Sequence, residues 1–279
     1  MSIITLTTDF GLKDYAVGAL KGHIYNLLPT AHIVDISHYI EPFNILQTAY
    51  VLRNAYKYFP ENTIHIIGVD NELHSQKDLL VMKYQNQYFI SADNGFISLF
   101  CEENFSKKIY KIKLDNFYSI FPTLDFSVKI AQKIVEGVPL EEIGENTDNH
   151  HFVLDHFPTI SKNKIAGCII YIDTYGNVVS NITKSIIEKN ANNRRFDIYF
   201  RFIALKNKSL EDIFSQYNEI EEKNKRYGNH FDGKEILIFN NLQHLELAIY
   251  RSNPHTVNSS SKLHGINYRD KVSINFIDN

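Results

Sequence analysis

The sequence predicts an α/β N-terminal domain with a mostly parallel sheet, followed by a smaller all-β, barrel-like C-terminal domain. Three observations predict it. Residues 1–140 alternate strand and helix patterns, the βαβ signature of a parallel sheet covered on both faces. Residues 138–163 lose that periodicity and collect Pro139, Gly144, Asn146, Asn149, His150, His151 and Pro158. Beyond them, five or six strand patterns with turn signals follow one another, as in a small barrel or sandwich. The expected boundaries are 1–150 and 164–279, with 151–163 as linker.

Taken in order, the apolar run Ile3-Ile4-Thr5-Leu6 is a strand that opens into Thr7-Thr8-Asp9-Phe10-Gly11-Leu12-Lys13-Asp14. A helix pattern begins at Asp14 with Tyr15, Val17, Leu20, Ile24, Leu27 and Leu28 at helical spacing. Ile33–His38 is a second strand, Asn44–Tyr58 a helix and Thr63–Asp70 a third strand. Asp78–Tyr84 and Gln87–Ala92 are neighbouring strands, and Asp93-Asn94-Gly95 ends the second of them. Lys108–Leu114 is a further strand and Phe126–Val135 an amphipathic helix. After the linker, strands are expected at Lys164–Ile172, Val178–Ile182, Phe196–Ile203, Glu235–Phe239, Leu245–Tyr250 and Lys271–Ile277. The polar insertion Lys206–Lys225 reads as helix or excursion, and the charge run Glu221–Arg226 as a solvated face.

With 279 residues, 44% apolar and 13% aromatic, the chain has material for a large core. A net charge of −3, without a basic cluster interleaved with aromatics, argues against nucleic acid as partner. The N-terminus is neither basic nor a long apolar run, and no apolar stretch is long enough to span a bilayer, so no membrane association is expected. Cys101 and Cys168 lie in apolar strand-like segments and read as buried free thiols, which suits a reducing cytoplasm, the expected location.

Strands ending at or near Asp9, Asp35, Asp70 and Asp93 suggest an acidic cleft along one edge of a sheet. Such a cleft suits a polyol such as ribose, a cationic ligand or a divalent metal. It disfavours polyphosphate, and neither G-x-G-x-x-G nor G-x-x-x-x-G-K-[ST] occurs. Asp14 also fits a helix N-cap, and Asp9 a plain loop residue. A metal site would draw on Asp9, Asp14, Asp35, Asp70 and Asp93, but the compact acidic spacing that holds a metal locally is missing, and His150-His151 beside Asp148 reads as exposed linker.

Several of these pieces form an ordered set: Thr8-Asp9-Phe10-Gly11 with Asp14, Val17-Gly18 through Lys21-Gly22, Asp35-Ile36-Ser37-His38, Asp93-Asn94-Gly95, and Tyr171-Ile172-Asp173-Thr174-Tyr175-Gly176-Asn177-Val178-Val179-Ser180-Asn181-Ile182. In that order and spacing the chain resembles the S-adenosyl-L-methionine hydroxide adenosyltransferases, relatives of the fluorinating and chlorinating enzymes that use the same substrate. The resemblance implies an N-terminal α/β domain, a C-terminal β-barrel and a homotrimer, with S-adenosylmethionine between one subunit's N-domain and its neighbour's C-domain. It implies that Asp9 hydrogen-bonds the ribose hydroxyls, that Asp173 pairs with the methionine ammonium and that Asn177 reads an adenine edge. Asp14 would lend polar support at the methionine end. Glu246, in Leu245-Glu246-Leu247-Ala248, matches a position near the nucleoside, and Asn241 stands where relatives usually carry serine in Asn-Ser-x-Gly. Asp173 and Asn177 also read as builders of a turn around Gly176.

The family's chemistry is in-line displacement at the ribose 5′-carbon, by water or hydroxide in most members and by halide in a few. The sulfonium leaves as neutral methionine, so the resemblance implies neither metal nor cofactor. A dry site that strips and aligns the nucleophile accelerates such a step. Hydrolytic members hold the water with an Asp-Arg-His constellation, the Asp in Val-Asp-Pro-Gly-Val-Gly, the Arg seven residues on, and the His in a later Phe-His-Gly-Arg-Asp. This chain keeps Asp70, places Lys77 at the arginine position, and puts Pro122 of Phe121-Pro122-Thr123-Leu124-Asp125-Phe126 where the histidine belongs. The expected catalytic residues are therefore Asp70 and Lys77. Lysine lacks the planar fork of arginine, and loss of a general base costs about 10²–10⁴ in rate. His74, in the loop after Asp70, is the nearest imidazole in sequence. The expected function is hydrolysis of S-adenosylmethionine to adenosine and methionine, slow or with a rearranged water site. The alternative is a catalytically degenerate protein that binds S-adenosylmethionine or adenosine. Halogenation ranks below both, since the chain has no tryptophan and no evident halide pocket.

Overall fold

The structure, a computed structural model, describes residues 2–101, 107–114, 118–153, 157–228, 231–253, 255 and 258–277. Residues 154–156 of the expected linker lie outside the described residues. The chain divides into two compact units, Met1–Val153 and Leu154–Asn279.

In the first unit the elements are β1 (Ile3–Thr8), α1 (Ala16–Leu27), β2 (His32–Ser37), α2 (Ile45–Ala55), β3 (Ile64–Gly68), β4 (Leu79–Tyr84), β5 (Gln87–Ala92), α3 (Phe96–Phe100), β6 (Lys107–Ile112), α4 (Val128–Val135), α5 (Leu140–Ile143) and β7 (Gly144–Asn146). Seven strands form one sheet in the order β2-β1-β3-β5-β4-β6-β7. Side-chain alternation covers both faces, because successive strand residues point to opposite sides. Ile4, Leu6, Ile64, Ile66, Val81 and Ile90 pack with residues of α1 and α4. Leu80, Met82 and Phe89 pack on the other face with residues of α2 and α3.

The sheet is mixed where a mostly parallel one was expected. β2, β1, β3 and β5 run parallel, while β4, β6 and β7 add antiparallel ladders. The cause is the two-residue turn Gln85-Asn86, with both residues at positive φ (48° and 59°). That conformation folds β4 and β5 into a tight hairpin and leaves no room for a crossover helix. α1 begins at Ala16 with Tyr15 at the cap position, two residues later than the pattern suggested. Of the helix expected over Phe126–Val135, the first two residues belong to a π-turn, Thr123–Ser127, and α4 begins at Val128.

In the second unit the elements are β8 (Thr159–Ser161), β9 (Lys164–Ile172), β10 (Val178–Thr183), α6 (Lys184–Ala191), β11 (Phe196–Phe200), β12 (Ile203–Lys208), α7 (Tyr217–Tyr227), β13 (Glu235–Phe239), β14 (His244–Ile249), α8 (Ser260–His264) and β15 (Lys271–Phe276). The strands form one antiparallel sheet in the order β12-β11-β15-β9-β10-β14-β13, with β8 on β9. The sheet is curled, and among the described residues its strand path runs from β12 to β13. β9 makes the bend: its first half, Lys164–Cys168, pairs with β15, and residues from Ile169 to Ile172 pair with β10. Strands that pass between two ladders in this way turn the corners of folded sheets. Ile165, Phe196, Ile198, Leu237, Leu247 and Ile274, drawn from both halves, share one core.

Within the expected strand Phe196–Ile203, Arg201 adopts φ +53° and splits the segment into the β11–β12 hairpin. The start of the polar insertion is therefore an edge strand, and only its later part is helix α7. Among the described residues no helix is long and apolar enough to cross a membrane.

Candidate functional site

β1, β3 and β5 run side by side in one direction, so the residues that follow them emerge at one edge of the first unit's sheet. Asp9 follows β1, Asp70 lies two residues past β3, and Asp93-Asn94 follow β5. Lys77 enters at the same edge, because β4 starts there antiparallel to β5.

Asp70 sits at φ +46°, a left-handed conformation that costs a non-glycine residue roughly 1–2 kcal/mol. Its neighbours hold it there. Asn94 Nδ2 donates to the carbonyls of Val69 and Asp70 at 3.0 and 3.2 Å. Asn71 accepts the Ala92 amide through Oδ1 at 2.9 Å and donates through Nδ2 to Thr123 Oγ1 at 2.9 Å. The following residues fold back in a tight turn, in which His74 and Lys77 exchange both backbone hydrogen bonds. That turn returns Lys77 Nζ to Asp70 Oδ1 at 2.8 Å, a partly buried ion pair. His74 stays exposed, and its Nδ1 accepts the Gln76 amide of its own turn.

Asp9 is half-buried beside Asp70. Burial raises its carboxyl above the usual range, against hydrogen bonds from the backbone of Phe43, Asp9 and Asp70, and the charge of Asp70 adds to the rise. Phe43 N donates to Asp9 Oδ2 at 3.0 Å, with Phe43 at φ +64° and its ring largely exposed. A bulky residue in that region is a genuine backbone outlier, and such outliers cluster at ligand sites.

The remaining N-terminal motif residues brace this loop. Buried His38 meets Thr8 Oγ1 through Nδ1 at 2.7 Å and approaches Asp35 Oδ1 through Nε2 at 3.1 Å, while Lys21 Nζ reaches Asp35 Oδ2 at 2.6 Å. Gly11, at φ +67°, donates its amide to the His38 carbonyl at 2.7 Å. Asp35 is thus held by Lys21 and His38, and Asp93 accepts the His151 amide at 2.7 Å. Asp14 is exposed in the loop before α1. Among the described residues no group of three or more His, Cys, Asp or Glu side chains is arranged to hold a metal. Phe121 packs edge-on against Phe10 with ring centroids 5.2 Å apart, and Thr123 bonds Asn71, so Pro122 stands between two contacts to the Asp9 and Asp70 loops.

In the second unit, Asp173 and Asn177 frame the turn from β9 to β10. Asp173 Oδ1 accepts the Asn177 amide at 2.8 Å and Oδ2 accepts Asn177 Nδ2 at 2.9 Å. The turn-building reading is thus realised, with Gly176 at φ +75° closing it. Glu246 on β14 pairs with Val179, so alternation puts it on the face that Asn177 also shares. It is buried and accepts Asn240 Nδ2 at 3.4 Å. Burial first, and then the charge of Asp173, push its carboxyl up to about 7. Asp173 is itself raised by burial. Asn241 is exposed in the β13–β14 turn, and the neighbouring Asn240 makes the contact to Glu246.

Phe43 and Asn240 were missed in the sequence. Pro42-Phe43-Asn44 carried a usable signal, since Asn44 caps α2 and forces the preceding turn.

Comparison with known proteins adds a second line. The family model described as SAM hydroxide adenosyltransferase N-terminal domain matches residues 4–144, and that of the C-terminal domain matches 167–273. An (R)-S-adenosyl-L-methionine hydrolase of Methanocaldococcus jannaschii is 31% identical over 281 residues, covering 98% of this chain and 96% of that protein. A fluorinase of an Actinoplanes species is 22% identical over 219 residues, covering 67% and 74%. A crystal structure of a conserved protein from Thermotoga maritima superposes with a TM-score of 0.76 at 25% identity, covering 98% of this chain and 99% of that one.

Proposed function

Because this chain belongs to the SAM hydroxide adenosyltransferase family, we propose that it hydrolyses S-adenosyl-L-methionine to adenosine and L-methionine. The observation that carries the reading is the Asp70–Lys77 pair, 2.8 Å apart on a backbone held at φ +46° beside Asp9. Water hydrogen-bonded to Asp70 attacks the ribose 5′-carbon opposite sulfur. The new C–O bond forms as the C–S bond breaks, and its electron pair stays on sulfur as the neutral thioether of methionine. The water proton passes to Asp70 and on to solvent. Lys77 takes the place of the arginine found in hydrolytic relatives and fixes the Asp70 carboxylate. No imidazole acts, since Pro122 fills the histidine position and His74 is bonded within its own turn. The sulfonium supplies its own leaving-group activation, so a site without general-base histidine still turns over, slowly.

Asp9 takes the ribose hydroxyls, with one oxygen oriented by the Phe43 amide. In the second unit Asp173 receives the methionine ammonium, the Asn177 amide carbonyl accepts from adenine, and Glu246 and Asn241 border the nucleoside. Asp14 supports the methionine end. A homotrimer with the site between subunits fits the rim of the Asp9 edge, where Leu12, Tyr15, Tyr39 and Phe43 are all more than half exposed. The free thiols Cys101 and Cys168 fit a cytoplasmic setting.

Long incubation with S-adenosylmethionine followed by product analysis tests the function. Adenosine and methionine in equal amounts are expected, falling about 10²–10⁴-fold in Asp70→Ala. Stoichiometric binding without product would make the protein a binder, and 5′-chloro-adenosine formed in added chloride would make it a halogenase.

A further inference from the structure

The segment after β2 reaches the Asp9 loop through four contacts, and one of them is made by a buried imidazole. Gly11 N donates to the His38 carbonyl at 2.7 Å and Ile40 N to the Thr8 carbonyl at 3.3 Å, so the two stretches of backbone are bound together on either side of Asp9. Phe43 N, from the same segment, donates to Asp9 Oδ2 at 3.0 Å. The fourth contact joins side chains: His38 Nδ1 and Thr8 Oγ1 are 2.7 Å apart, and both side chains are removed from solvent. The segment is itself anchored. Ile40 packs with Ala49 and Leu52 of α2, and Glu41 N donates to Gln47 Oε1 at 2.9 Å.

The direction of the His38–Thr8 bond follows from the far side of the ring. His38 Nε2 lies 3.1 Å from Asp35 Oδ1, and Lys21 Nζ donates to Asp35 Oδ2 at 2.6 Å. Burial works to raise the Asp35 carboxyl, but the contacts to Lys21 and His38 outweigh it and hold the group below the usual carboxylate range. A carboxylate beside Nε2 draws the ring hydrogen to that nitrogen and leaves Nδ1 as an acceptor. Thr8 then donates its hydroxyl hydrogen to Nδ1, and its oxygen accepts the Phe10 amide at 3.4 Å. The order Lys21, Asp35, His38, Thr8 thus runs from the surface to the backbone that carries Asp9. We propose that His38 is a positioning residue for Asp9: its imidazole, set by Asp35 and Lys21, locks Thr8 and with it the backbone from which the Asp9 carboxylate meets the ribose hydroxyls. This rests on the reading that Asp9 takes those hydroxyls. It gives the Asp35-Ile36-Ser37-His38 motif a part in substrate binding, exerted through Asp9.

Thr8→Val tests it, because the branched shape that suits a strand remains and one hydroxyl is lost, while Thr8→Ser keeps the hydroxyl. Calorimetric titration is expected to show adenosine bound about tenfold more weakly by Thr8→Val, the effect of one hydrogen bond to a charged group. Thr8→Ser is expected to stay within about twofold of wild type, and methionine, which has no ribose, to bind both variants as it binds wild type. In an Asp9→Asn background Thr8→Val is expected to move adenosine affinity by less than about twofold, since the hydroxyl acts through Asp9. Asp35→Asn, at a partly exposed position, reads the same contacts from their outer end and is expected to weaken adenosine about threefold. Should Thr8→Val fail to fold in a thermal melt, Asp35→Asn carries the test. Unchanged adenosine affinity in either folded variant, an equal loss of methionine affinity, a Thr8→Ser variant as weak as Thr8→Val, or effects that simply multiply with Asp9→Asn would overturn the proposal. Adenosine affinity untouched by Asp9→Asn would remove the underlying reading, whereas a loss in Asp9→Asn with none in Thr8→Val removes the role of His38 alone.

Discussion

Asp70 owes its position to a backbone conformation that most side chains avoid, and Asn71 and Asn94 are there to hold it. Lys77 reaches it only because the His74–Lys77 turn folds back, so the pairing depends on a short local segment. Burial and the charge of Asp173 push the Glu246 carboxyl up to about 7. In the unfolded chain a glutamate gives up its proton near pH 4.3. Folded Glu246 keeps its proton to about 7. Stability linked to that proton is full below about pH 4.3 and is lost as pH rises through 7. Glu246→Gln has no such loss, so its stability relative to wild type is expected to rise by on the order of 2–3 kcal/mol between pH 5 and pH 8. Urea unfolding of both proteins at the two pH values checks this, and a pH-independent difference would refute it. At this scale the strand-end positions of Asp9, Asp70 and Asp93 and the Asp173–Asn177 turn were legible, because acidic residues at strand ends and an ordered motif carry positional information. Phe43 and Asn240 were not, because their contacts depend on a left-handed backbone and on a turn one residue off register.

The β9–β10 turn is the element on which the second unit's polar groups depend. Gly176 has φ +75°, and a Cβ there would lie 2.2 Å from Ser259 Oγ. Gly176→Ala is expected to cost about 1–3 kcal/mol and to weaken S-adenosylmethionine binding as the Asp173–Asn177 frame shifts. Thermal unfolding together with calorimetric titration reads both effects, and wild-type values in both would show that the turn tolerates the change. Strands such as Gln87–Ala92, Lys164–Ile172 and Glu235–Phe239 could be read to the residue, since apolar alternation bounded by turn residues is a local signal. Sheet direction and curvature could not. The Gln85-Asn86 hairpin made half the first sheet antiparallel, and the bend in β9 curled the second sheet; both are properties of strand pairing. Helix α6 follows β10 with too few apolar residues to announce itself.

At the level of the whole molecule, the two family domains together account for most of the chain. The exposed apolar rim of the Asp9 edge asks for a covering surface, and sedimentation is expected to give three times the 32.4-kDa chain mass. A monomer in solution would contradict a site shared between subunits. What decides the chemistry is the fate of the water. Hydrolysis of S-adenosylmethionine in oxygen-18 water, followed by mass spectrometry of the adenosine, reads it directly. One labelled oxygen in the 5′-hydroxyl, at a rate that collapses in Asp70→Ala, is the expected result. Unlabelled adenosine, release of free adenine, or no cleavage at all would contradict displacement at the 5′-carbon by water held at Asp70.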